Sequence, residues 1–308
     1  MTTTPLSVAC LGLGRIGAGI AQSIQRVGHR LIVYNRTSEK MQSFVASGAT
    51  AARSPREAAA QADIVLTCLM GDESVRENLV GANGILAGMR PGAIHIGTST
   101  ITPKATAEFA ALHAAQGSHY LAATFAGHPD HAAAGKLIAF VAGTPEVVER
   151  SRPVLEAYTA RFLVLGENPA LAASFKLTVN FFAACLLETI GEAFVFAEKQ
   201  GLNLELLGST FKELLQHPAF PKYIEKIRVG DFDVILGSTL DGAGSKDVRF
   251  ILQTAAEVGV PLPFGSVVRD KIIAAQAQGW GERDWSVLTE IARLDAGKQR
   301  VKERASTA

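Results

Sequence analysis

Cysteine is scarce in this chain, with three among 308 residues. Cys10, Cys68 and Cys185 are odd in number, far apart and set in apolar surroundings. That excludes a disulfide-stapled scaffold or a clustered metal site and reads as reduced core thiols. An excess of charge is missing too. Thirty basic side chains against 29 acidic ones leave a net +1, too little for a surface that grips nucleic acid or an anionic membrane by bulk charge. The longest apolar run, Phe181 to Leu187, lies between Asn180 and Glu188 and falls far short of the roughly 20 residues of a membrane span. Met1 to Pro5 holds no basic stretch leading into an apolar core, so no signal peptide is expected and the cytoplasm is the expected location. Signatures of other chemistries are absent as well: no His-Glu-x-x-His, no Cys-x-x-Cys and no Gly-x-Ser-x-Gly. His113, His119, His128 and His131 crowd one region without the spacing of metal ligands, and are expected to be satisfied or exposed histidines.

What the chain does have begins at its amino end. Val8 to Leu11 is an apolar run that reads as a buried strand, and a helical pattern runs from Ala18 to Gly28. Between them Gly12, Leu13, Gly14, Arg15, Ile16 and Gly17 carry the G-x-G-x-x-G spacing. In that arrangement the first glycine permits a tight turn, the second lets backbone amides approach a pyrophosphate, and the third lets helix and strand pack closely. The helix start then points unpaired amides and the positive end of its dipole at the phosphates. The segment predicts a dinucleotide site, against the plainer alternative of a structural glycine turn.

The end of the second strand selects among dinucleotides. Arg30 to Tyr34 reads as a strand running into Asn35, Arg36, Thr37, Ser38, Glu39 and Lys40. A site for NAD usually places a carboxylate here for the ribose 2′-hydroxyl, and none stands at Tyr34, Asn35 or Arg36. Arg36 offers a planar fork of donors and Lys40 a point charge, which suits the 2′-phosphate of NADP(H). The alternative is a pair of solvated charges opening a helix capped by Thr37 or Ser38.

Strand and helix patterns alternate through the first half. Strands are expected at 63–69, 93–96, 119–122, 137–142 and 162–165, with helices at 55–61, 72–80 and 103–116. The last is capped by Thr102 with Pro103 at its first position. This alternation predicts an α/β, Rossmann-type doubly wound sheet, in which ligands bind at the carboxyl ends of the strands. The loops after Leu11, Tyr34, Leu69 and Ile96 are therefore expected to line one crevice. Near Gly166 the character changes. Asn168 and Pro169 start a helix that nothing stops before Gln200-Gly201, about 32 residues or roughly 48 Å. Its middle is apolar on nearly all sides and must be covered, most economically by a second subunit. Every later segment reads as helical, with Trp280 and Trp285 as core or dimer contacts, and the tail from Gly297 is polar. The expected division is a nucleotide-binding domain at 1–167 and an all-α substrate and dimerisation domain at 168–308, joined by the long interdomain helix 169–200.

On that helix Lys176 and Asn180 are four residues apart and share a face. A lysine beside an amide, facing a nicotinamide cleft, can protonate an oxygen that gains the negative charge of hydride transfer while the amide orients it. Burial would lower the lysine pKa toward a useful value. Taken alone, the pair is better explained as an exposed lysine with a chance asparagine, and the dinucleotide fold beside it reverses that preference.

The glycine turn, Ser99-Thr100-Ile101-Thr102-Pro103, the Lys176 and Asn180 pair and Ser245-Lys246-Asp247 follow one another in the order found in the beta-hydroxyacid dehydrogenases. This family includes 3-hydroxyisobutyrate dehydrogenase and tartronate semialdehyde reductase, and the chain resembles it from about Val8 to Val268. The resemblance implies Lys176 as the catalytic lysine with Asn180 as its amide partner. It implies Thr100 and Lys246 beside the nicotinamide and its ribose, and Leu69 and Met70 bordering the cofactor. Ser99 and the segment Thr124, Phe125, Ala126 and Gly127 would face the substrate. That segment departs from the family pattern Asp-Ala-Pro-Val-Ser-Gly-Gly, reading Ala122-Ala123-Thr124-Phe125-Ala126-Gly127-His128. Ala126 removes a hydroxyl that grips a substrate carboxylate, and Gly97 stands where an acid is common. Imine reductases are similar in architecture, in the Asn-Arg-Thr signature and in an apolar pocket, but typically carry aspartate or tyrosine in place of the lysine.

Together these features predict an NADPH-dependent oxidoreductase that reduces a small aldehyde or ketone of the semialdehyde or 3-hydroxy acid type. The expected assembly is a homodimer or a tetramer. An imine reductase acting on cyclic imines and a non-catalytic NADP-binding scaffold are the alternatives.

Overall fold

The computed structural model describes residues 5–301. The amino-terminal part alternates as the hydrophobic pattern predicts: β1 Ser7–Leu11, α1 Arg15–Arg26, β2 Arg30–Tyr34, α2 Gln42–Ala46, β3 Thr50–Ala51, α3 Pro55–Ala60, β4 Ile64–Thr67, α4 Gly71–Leu79, α5 Ile85–Gly88, β5 Ile94–Gly97 and α6 Pro103–Ala115. Then come β6 His119–Ala126, α7 Pro129–Ala133, β7 Leu137–Ala142, α8 Pro145–Tyr158 and β8 Thr159–Val164. The strands form one sheet in the order β3-β2-β1-β4-β5-β6-β7-β8. Chain order reverses direction at β1/β4, which opens the crevice of a doubly wound fold above the carboxyl ends of those strands. Both faces are covered. One packs Ile20, Ile24, Leu66, Val154 and Tyr158, the other Leu11, Val65, Phe109, Tyr120 and Ala172.

The elements follow from local chemistry. Thr102 caps α6 by accepting the Ala105 N–H, with Pro103 at the first position. Ser54 does the same for α3 through the Glu57 N–H. β7 runs antiparallel to β6 while every other pair is parallel. Its connection from β6 is too short for a parallel crossover, which needs a dozen or more residues. β3 is only two residues long, too brief to show a period in sequence.

α9 spans Ala170–Lys199. Asn168 starts it by accepting the Ala170 N–H at 3.0 Å. Gly201, at φ 70°, ends it, with the Leu202 N–H returning to the Ala197 carbonyl. The chain divides into two compact units between Phe182 and Ala183, inside this helix. The second unit is helical: α10 Leu204–Gln216, α11 Ala219–Val229, α12 Ser245–Glu257, α13 Pro263–Ala277 and α14 Glu290–Asp295. Its core gathers Phe232, Leu240, Ile272, Trp280 and Val287. Asp284, fully buried, accepts the Leu236 and Ser286 N–H groups and the Ser286 hydroxyl proton, so its charge is met by hydrogen bonds. Trp285 donates its indole N–H to the Tyr223 hydroxyl.

Candidate active site

The first unit holds a crevice of about 890 Å³ at the carboxyl ends of its strands. Its floor is the glycine turn. Gly12 adopts φ 93°, open to glycine at little cost. A methyl group there would lie 2.4 Å from the Cys68 carbonyl oxygen, and one on Gly17 would lie 2.0 Å from the Gly12 carbonyl oxygen. Nothing lies within 4 Å of a side chain built on Gly14, so the backbone is bare where a phosphate must come close. Helix α1 begins at Arg15 with no side-chain cap and no acid in its first turn. Its unpaired amides and dipole face the crevice without competition. A dinucleotide pyrophosphate fits this cradle.

Asn35 lines the crevice and also holds the glycine turn in place through Leu13. The Leu13 N–H donates to Asn35 Oδ1 at 2.9 Å, and Asn35 Nδ2 donates to the Thr37 carbonyl at 3.0 Å. Asn35 thus ties the glycine turn to the loop after β2 and sets the backbone that carries Arg36. Arg36, Thr37 and Lys40 are exposed and line the crevice, as does Arg15. On the other side the loops after β4 and β5 are joined by the Ser99 hydroxyl, which accepts the Leu69 N–H at 2.8 Å. The Thr98 hydroxyl donates to the Thr67 carbonyl. The Asp72 carboxylate takes both the N–H and the hydroxyl of Thr102, bracing the starts of α4 and α6. Leu69, Met70, Ser99 and Thr100 all border the crevice.

Lys176 and Asn180 line this same crevice from α9, with Phe125 and Gly127 from the end of β6. Partial burial lowers the Lys176 pKa below that of a free lysine, since a half-desolvated ammonium is the disfavoured form. Thr124 faces away. It is 2% exposed and its hydroxyl donates to the Ala172 carbonyl at 3.0 Å. Side chains alternate along a strand, so Thr124 and Phe125 point to opposite faces of β6. Leu13, Thr124 and Ala126 do not line the crevice. His128 is exposed, its N–H donating to His131 Nδ1. Lys246 opens α12 in the second unit, exposed and 3.3 Å from the Asp247 carboxylate.

The crevice also includes Ser74, Glu77 and Asn78 of α4, Asn83 and Gly84 beyond it, and Pro55 of α3. Sequence reasoning did not name these residues. Their only signal was position: α4 leaves the end of β4, a strand bordering the switch point.

Residues 7–166 match the family described as the NAD binding domain of 6-phosphogluconate dehydrogenase. Residues 171–292 match the one described as NAD-binding of NADP-dependent 3-hydroxyisobutyrate dehydrogenase. The chain belongs to the beta-hydroxyacid dehydrogenases. It is an NAD(P)-dependent oxidoreductase acting on CH–OH groups. This dehydrogenase is 33% identical to the uncharacterized oxidoreductase YfjR of Bacillus subtilis (strain 168), over 94% of the chain and 100% of that protein. It is 29% identical to the 3-sulfolactaldehyde reductase of Escherichia coli (strain K12), over 94% of the chain and 97% of that protein. The imine reductase from Myxococcus stipitatus, solved in complex with NADP+, superposes with a TM-score of 0.82 at 19% identity, covering 93% of the dehydrogenase and 99% of that chain. The resemblance read from the motifs holds for the family and for the architecture shared with imine reductases.

Proposed function

We propose that this dehydrogenase uses NADPH to reduce the carbonyl group of a small aldehyde or ketone of the semialdehyde or 3-hydroxy acid type, with Lys176 as the proton donor. One observation carries this reading: a half-buried lysine of lowered pKa lines the same crevice as the glycine turn that fits a pyrophosphate. Bound NADPH supplies a hydride to the carbonyl carbon. The charge that develops on the carbonyl oxygen is met by the Lys176 ammonium, which gives up a proton to it, and the Asn180 amide orients oxygen and lysine. The α1 amides and the backbone of Gly14 hold the pyrophosphate. Arg36 and Lys40 hold the 2′-phosphate, with Thr37 as a further donor, and Leu69, Met70 and Thr100 border the nicotinamide end. Ser99, Phe125 and the backbone of Gly127 border the substrate.

The preference for NADPH rests on Arg36. Removing its guanidinium in Arg36→Ala takes away a charge-assisted contact and is expected to weaken NADPH binding by roughly ten- to a hundredfold while leaving NADH binding unchanged. Fluorescence titration with both dinucleotides checks this, and tighter binding of NADH by the unaltered enzyme would overturn it.

Imine reduction is the second reading, favoured by the apolar wall at Phe125 and by the architecture shared with the Myxococcus enzyme. A cationic Lys176 repels an iminium ion, which argues for the carbonyl. A panel of semialdehydes and cyclic imines with NADPH decides: imines turning over orders of magnitude faster would remove the carbonyl assignment.

We infer a homodimer, with a tetramer as the larger option. By length and composition α9 could cross a membrane, but Lys176, Asn180, Glu188 and Glu192 interrupt it, and the second family match begins at its start. Phe181, Phe182 and Leu187 are exposed at 71, 64 and 69%, more apolar surface than a helix in water keeps. A second copy of the chain in the cytoplasm supplies the cover. Sedimentation of the enzyme is expected to give a dimer or tetramer, and a monomer at micromolar concentration would contradict it.

A further inference from the structure

We propose that Thr124 is a positioning residue for Lys176, an inference that rests on Lys176 being the proton donor. Its buried hydroxyl, donating to the Ala172 carbonyl at 3.0 Å, is a tether from the sheet to the first turn of α9. Ala172 lies four residues before Lys176, so in a regular helix its carbonyl also takes the Lys176 N–H. The same oxygen therefore receives the backbone of the lysine and the tether from β6. A second contact lies beside it. The Phe175 ring packs on Phe140 of β7 with centroids 4.7 Å apart, and Phe140 is the register partner of Thr124 across the two strands.

Two anchors on adjacent residues of adjacent strands thus fix both the rotation and the height of the helix turn that presents Lys176. Phe175 is itself 38% exposed, so its apolar contact leaves a margin for rolling, and the directional bond from Thr124 removes it. A helix that rolled or slid by a fraction of a turn would carry Nζ by an ångström or more, a displacement that can cost about a hundredfold in turnover. The family pattern has proline at this position, which has no hydroxyl to donate. This chain puts a donor there instead, on the strand face opposite Phe125.

The test uses the full-length enzyme in four forms: unaltered, Thr124→Val, Thr124→Ser and Lys176→Ala. Lysines are labelled by reductive ¹³C-methylation, and the Lys176 resonance, assigned by its absence in Lys176→Ala, is titrated by NMR without cofactor. kcat and KM are measured with NADPH and a carbonyl substrate. Thr124→Val keeps the shape of the side chain and is expected to move the Lys176 titration upward toward that of a free lysine. It should also lower kcat about tenfold with KM for NADPH unchanged. Thr124→Ser should restore both. A Thr124→Val enzyme that titrates and turns over like the unaltered protein overturns the inference, as does a serine variant no better than valine. Turnover surviving in Lys176→Ala defeats the proton-donor reading alone, because the Thr124→Val titration is read without turnover.

Discussion

Lys176→Ala is expected to lower carbonyl turnover by roughly a hundred- to ten-thousandfold, the usual contribution of a positioned general acid, with NADPH binding retained. The pyrophosphate cradle at Gly12, Gly14, Gly17 and the α1 amides contains no part of Lys176, so loss of binding and loss of chemistry separate. Lys176→Arg sharpens the result. It keeps a positive charge in the crevice, but a guanidinium with a pKa above about 12 does not give up its proton. Its turnover should stay near that of the alanine variant, and recovery in Lys176→Arg would mean that charge alone is sufficient. In the unaltered enzyme the protonated lysine is the active form for reduction. Because burial lowers its pKa, kcat for reduction should fall as pH rises through a value below the ordinary 10.5. A scaffold that binds NADPH without turning anything over would show no such limb and no loss in either variant.

Acid should destabilise the first unit well before its carboxylates protonate. Thr67, His95, His113 and Ser118 form a buried chain: the Thr67 hydroxyl to His95 Nε2 at 2.9 Å, His95 Nδ1 to His113 Nε2 at 2.9 Å, and His113 Nδ1 to the Ser118 hydroxyl at 2.8 Å. Each link needs one donor and one acceptor, so the two neutral rings must share one tautomer. The Ser118 hydroxyl also reaches the His113 carbonyl at 3.2 Å, which leaves its oxygen to accept from His113 and makes both rings Nδ1–H. A proton on each ring would set two donors face to face. Burial pushes His113 down to about 4 from 6.5, helped by His119, and holds His95 well below its ordinary value, helped by His113.

Unfolded, both rings take up protons near 6.5; folded, they resist. Stability is therefore full above that value and is lost as pH falls from there toward about 4. Between pH 7.5 and 5 the loss from His113 is on the order of 2 kcal/mol, a large share of the 5–15 kcal/mol typical of a folded domain, and His95 adds to it in the same direction. Urea unfolding at the two pH values measures it, and ¹⁵N spectra should show both rings as neutral Nδ1–H species at the lower pH. Equal stability at both pH values would contradict the assignment.

Much of this was legible in the sequence because local rules governed it. Arg30 to Tyr34 and Leu137 to Ala142 are strands over the expected residues, and Thr102 caps the expected helix. The glycine spacing located the crevice because backbone sterics leave few residues able to stand there. What was missed is non-local. His95 and His113 lie on a strand and a helix whose pairing no periodicity announces. Thr124 through Gly127 were read as one substrate-facing stretch, although a strand cannot turn the three successive side chains of Thr124, Phe125 and Ala126 to one face. The alternation that places Phe125 on the crevice sends Thr124 to α9. Asn35, read as a cofactor contact from its place beside Arg36, lines the crevice, and only the fold reveals its bonds to the Leu13 N–H and the Thr37 carbonyl.

The most direct check is a crystal structure of the enzyme with NADP+ and a carbonyl-containing inhibitor, read for the place of one nitrogen atom. Nζ of Lys176 should lie within hydrogen-bond reach of the inhibitor oxygen, with the carbonyl carbon stacked over C4 of the nicotinamide. An ammonium turned to solvent, with another group or a water holding that oxygen, would leave a dinucleotide-binding dehydrogenase fold whose proton donor lies elsewhere.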